Sequence, residues 1–107
     1  MRSAGPSHLV QILLPKETGK GGAIGKEWFD GFLKELTDKF GGATSFLRAP
    51  GQGLWQSGGG TEKDSIAVVE VMAERLDPSY WQSLRERLEC ELSQEEIVIR
   101  AQEIRRL

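Results

Sequence analysis

Ser65-Ile66-Ala67-Val68-Val69-Glu70-Val71-Met72-Ala73 is an apolar, β-branched run carrying a single charge, with Lys63-Asp64 before it and Glu74-Arg75 after it. Such a run reads as a strand, longer and more buried than its neighbours, because branched side chains pack well on a pleated surface. Upstream, Leu9-Val10-Gln11-Ile12-Leu13-Leu14 closed by Pro15 has the same character and predicts a first, central strand. From Lys26 to Phe40 the spacing changes: Phe29, Leu33, Leu36 and Phe40 recur at helical intervals, with Trp28 and Phe32 widening the stripe and Gly41-Gly42 supplying a stop. Gly31 inside this helix disfavours it slightly, which predicts a close approach to the sheet. Ala43 to Arg48 reads as a second strand. Asp77-Pro78 supplies an N-cap and an N1 proline for a second helix with Trp81, Leu84, Leu88 and Leu92 inward, and Ile97-Val98-Ile99 begins a fourth strand running towards Ile104.

The element order βαββαβ predicts an α+β fold of the split-βαβ, ferredoxin-like kind: a sandwich of a four-stranded antiparallel sheet with two helices on one face. One domain over residues 8–104 is expected, with a frayed start at 1–7 and a short tail at 105–107. Strand alternation sends Val10, Ile12, Val69, Val71, Ile97 and Ile99 towards the helices. Leu9, Gln11, Leu13, Ile66, Val68, Glu70, Met72, Val98 and Arg100 share the open face, joined by Phe46 and Arg48 from the second strand. That face is apolar enough to predict a cover, most simply a second copy of the chain.

The totals exclude several function classes. The chain has 107 residues, a net charge of −2, one cysteine (Cys90) and one histidine (His8). No positive field is available to gather nucleic acid, and neither an internal disulfide nor a four-ligand Cys/His zinc site is possible within one chain. No metal or cofactor is expected. The apolar run near the start is far shorter than the roughly 20 residues that span a bilayer, so no membrane segment is expected and a reducing cytoplasm fits best. The aromatic platform on which RNA-binding sheets stack bases is missing, since the two central strands offer Gln11, Leu13, Val68 and Glu70.

Three regions invite a functional reading. Thr18 to Lys26 is glycine-rich and lies between a strand and a helix, where phosphate loops occur, but its spacing matches neither the Walker loop nor the dinucleotide fingerprint, and a plain loop is expected. Ala49 to Gly60 places Trp55 among five glycines. With Arg48 and Gln52 nearby, Trp55 is either an anchor for a partner or ligand, or a hydrophobic clip on a long connection. Gln11, Glu70 and Arg100 are the polar members of the open face. A triplet of this kind fixes register in a dimer interface, and the alternative makes Glu70 a desolvated general base. His8 reads as a strand residue and Cys90 as a small filler of the second helix, because neither has a catalytic partner placed beside it.

Leu14-Pro15 at the end of the first strand, Phe40-Gly41-Gly42-Ala43-Thr44, Gly53-Leu54-Trp55, and Glu62 with Asp64 ahead of the third strand resemble a group of small bacterial proteins of unassigned function. The resemblance implies a ferredoxin-like fold over most of the chain and supplies no activity, cofactor or catalytic residue. Two functions are therefore expected in order. The first is a non-catalytic binding or assembly module, dimeric through its sheet face. The second is a small enzyme resembling dimeric α+β barrel proteins, in which Glu70, Arg100, Arg48 and His8 line a pocket between two sheets for a small organic molecule; the residues expected around a cleft or interface are Gln11, Arg48, Trp55, Glu70 and Arg100.

Overall fold

A computed structural model describes residues 6–41, 44–48 and 66–107, the stretch 44–48 by its backbone alone. Its elements are β1 (Pro6–Pro15), α1 (Lys26–Phe40), β2 (Thr44–Arg48), β3 (Ile66–Ala73), α2 (Pro78–Glu91) and β4 (Val98–Arg105). Local chemistry sets the helix ends. Asp77 accepts hydrogen bonds from the Ser79 and Tyr80 amides at 3.1 and 3.4 Å, satisfying donors that the first turn of α2 leaves unpaired. At the other helix, Gly41 adopts φ 89° and returns its N–H to the Thr37 carbonyl, a left-handed cap that glycine takes without a Cβ penalty. Lys26 with Asp30 and Lys34 with Asp38 line the solvent side of α1 one turn apart.

β1 lies between β3 and β4 and is antiparallel to both, with Val10 opposite Val71 on one side and Ala101 on the other. Thr44–Arg48 pairs antiparallel with the outer side of β3, giving the order β2-β3-β1-β4. The expected ferredoxin-like sandwich, with four strands sharing the core, is corrected accordingly. The sheet that demonstrably carries the core is the three-stranded antiparallel β3-β1-β4 with two helices, an α+β fold. The physical reason is pairing: β1 is ten residues long and held on both sides, so among the described side chains the buried cluster gathers on β1 and β3 beneath the helices, which a string of element types does not reveal.

Val10, Ile12 and Leu14 of β1 and Val69 and Val71 of β3 alternate onto one face. There they form a single buried cluster with Phe32 and Leu36 of α1, Trp81, Leu84 and Leu88 of α2, Leu92 and Ile97. Both helices therefore cover the same side of the sheet. Fully burying each such side chain contributes about 1.5–3 kcal/mol before entropy is counted. Phe40 stacks on Trp81 at 5.3 Å between ring centroids, with Tyr80 edge-on to both, which fastens the end of α1 to the start of α2. Arg87 of α2 holds Glu35 of α1 through two hydrogen bonds of 2.9 and 2.8 Å, closing the outer side of the same seam.

Several expectations change. The deepest side chains of α1 are Phe32 and Leu36, with Phe29 and Leu33 flanking them. Gly31 is exposed, and a Cβ built there meets nothing within 4 Å, so no close approach to the sheet requires glycine. Ile97 is buried ahead of β4 rather than within it, and the strand runs on to Arg105. Cys90 is exposed on α2 and fills no core space. None of the described helices is long and apolar enough to cross a membrane.

Candidate functional site

The register places Gln11 opposite Glu70 on β3 and opposite Arg100 on β4, so three polar residues stand in one row across three strands. Their side chains are joined: the Gln11 amide Nε2 donates to Glu70 Oε2 at 2.7 Å, and Arg100 Nε donates to Gln11 Oε1 at 2.9 Å. The row has a direction, from carboxylate through a neutral amide to guanidinium, and each bond has one ionised partner, which makes both stronger than neutral pairs. Around it on the same face stand Leu9, Leu13 and Ile66, half-buried, and buried Val68. Met72 and Val98 complete the surround, 54% and 43% exposed.

Glutamine does not titrate, so it passes no proton between its neighbours, and among the described residues the hydrogen bonds of the row join Glu70, Gln11 and Arg100 alone. Of the five residues expected around a cleft, Gln11, Glu70 and Arg100 meet. Arg48 pairs by its backbone with Ile66, while its side chain, like Trp55 and Gln52, lies outside the described residues.

The glycine-rich stretch after β1 spends its amides internally. Thr18 N–H bonds the Gly22 carbonyl, Gly21 N–H the Thr18 carbonyl, Ile24 N–H the Lys16 carbonyl, and Lys20 N–H the Thr18 hydroxyl. Gly19 N–H bonds the Leu92 carbonyl at 3.0 Å, and the Gln94 side chain donates to the Glu17 carbonyl. A phosphate would find these donors taken. The stretch is a turn docked on the α2–β4 connection.

On the other face of the sheet, a groove of about 320 Å³ runs between the start of α2 and β4. Val10, Ile99, Arg100 and Ala101 line it from the sheet and Leu76, Pro78 and Trp81 from the other side, with Gln82 and Arg85 beside them. Arg85 faces Glu89 at 3.3 Å, and Glu89 also accepts the Ile97 amide, so the rim cation is already tied to the frame of the fold. Periodicity alone does not reveal this groove, because it depends on the line along which α2 crosses β4. His8 sits in β1 opposite Ala73 and Glu103, on the helix side, and its Nδ1 is enclosed without a hydrogen-bond partner. Among the described residues no three His, Cys, Asp or Glu side chains converge as metal ligands would. No family model, curated protein or solved structure matches the chain, and the site is therefore judged on its own geometry.

Proposed function

We propose that this chain is a non-catalytic binding or assembly module that acts as a homodimer through the open face of its sheet. The supporting observation is the composition of that face: exposed Met72 and Val98 and half-buried Leu9, Leu13 and Ile66 surround a polar row with a carboxylate at one end and a guanidinium at the other. Covering apolar surface contributes about 25 cal/mol per Å², and a stable interface takes about 800 Å² from each partner, the scale of one face of a small sheet. An exposed free thiol at Cys90 suits a reducing, cytoplasmic setting.

The enzyme reading requires an enclosed volume beside Glu70. The groove between α2 and β4 opens on the helix side of the sheet and, although Arg100 of the row also lines it, its lining contains no carboxylate or thiol. Sedimentation in dilute buffer tests the proposal. A dimer is expected, and a strictly monomeric species that binds no apolar dye overturns it.

A further inference from the structure

The polar row has a polarity, and a twofold partner must respect it. Glu70 stands on β3 and Arg100 on β4, one strand to either side of Gln11, so their backbones are about 10 Å apart at the usual strand spacing. Two copies packed face to face are related by a twofold axis lying in the interface. An axis along β1 sets β3 of one copy over β4 of the other, bringing Glu70 over the partner's Arg100 twice. An axis across the strands sets β3 over β3, which brings carboxylate over carboxylate and guanidinium over guanidinium. Both arrangements keep the strands of the two sheets aligned, so packing alone does not choose between them. Charge does.

We infer that the second copy docks with its twofold axis along β1, so that Glu70 of each protomer pairs with the partner's Arg100 across a field of apolar side chains. This rests on the homodimer reading above. The atoms suit the role, because the intrachain row uses Oε2 of Glu70 and Nε of Arg100. The other carboxylate oxygen and the two terminal guanidinium nitrogens, the fork that recognises carboxylates, take no part in it. Gln11 then faces the partner's Gln11, each amide held in its own row. The register fixes the rest: Met72 and Gln102 both stand level with Leu9, and Val68 and Val98 both level with Leu13. Met72 therefore lies over the partner's Gln102, both exposed in the single chain, while Val98 stands level with Val68, which its own chain already buries. Rows of like charges facing one another in the wrong orientation give the interface its selectivity.

Cross-linking reads the orientation directly. In a full-length Cys90→Ser background, Met72→Cys and Gln102→Cys are made separately, mixed, allowed to exchange subunits and treated with a short bis-maleimide. The covalent dimer should form several-fold more in the mixture than in either protein alone. Self-linking of M72C or Q102C at the level of the mixture, in protein that sediments as a dimer, overturns the axis and leaves the dimer standing. Protein that sediments only as a monomer overturns both. A second readout uses charge: Arg100→Glu and Glu70→Arg should each weaken self-association at least tenfold, and mixing the two should restore it. Mixing cannot repair the row within either chain, so recovery reports charge pairing between subunits, and the cross-link decides which residues face each other. No loss in the single variants overturns the inference.

Discussion

Gly31 shows how one residue can oppose its surroundings without structural need. It is exposed in the middle of α1, its φ is not positive, and the space where a Cβ would stand is empty. Replacing it with alanine reduces the freedom of the unfolded chain and touches nothing in the folded one. Gly31→Ala should therefore raise stability by about 0.5–1 kcal/mol, read from the midpoint of urea unfolding. Tyr80 is a second case. It is the chain's only tyrosine, and its hydroxyl is enclosed without a hydrogen-bond partner. Burial, and then the nearby Glu35 carboxylate, push its pKa above the ordinary 10.0, while Arg87 pulls the other way. The unfolded chain releases this proton first, so the associated stability is complete below pH 10.0 and is lost as pH rises through the higher folded value. Absorbance of the phenolate should titrate above 10.0 in native protein and return to it in denaturant. Identical midpoints in the two states contradict the assignment.

Among elements, the glycine-rich turn after β1 and the turn after α2 behave as one unit. A Cβ at Gly19 would fall on the Ser93 carbonyl oxygen, and the Gly19 N–H bond to Leu92 depends on that close approach. Ser93 itself sits at φ 54°, a left-handed conformation uncommon for serine. Gly19→Ala should cost about 1–3 kcal/mol in chemical denaturation and loosen the start of β4 in hydrogen exchange, whereas Gly22→Ala, with open space at its Cβ, should cost less. Sequence makes the helices legible at this scale: α1 is written by its apolar spacing and Gly41, and α2 by Asp77-Pro78. The far half of β4 is harder to read. Arg100 to Arg105 is mostly polar, because an outer strand paired with β1 leaves those side chains in solvent, and no hydrophobic alternation marks it. The docking of the glycine turn is likewise invisible in sequence, since composition shows permissive backbone but not the Ser93 carbonyl it must fit against.

For the whole molecule, two-residue alternation is enough to put Gln11, Glu70 and Arg100 on one face. Their joining also requires the register that sets all three level across β3, β1 and β4. The groove by Trp81 and the enclosed Nδ1 of His8 depend on tertiary placement, and so no local pattern announces them. The position of β1 carries one further consequence, which concerns synthesis. β1 is made before every other described element and β4 after them, yet β4 is the strand that covers one edge of β1. On the ribosome, β1 waits with Leu9, Ile12, Leu13 and Leu14 on an open edge until residues near Arg105 have emerged, and an open apolar edge is a template for pairing with other chains. Interrupted translation short of β4 is thus the moment at which this chain is most exposed to aggregation, and its last strand acts as the seal on its first.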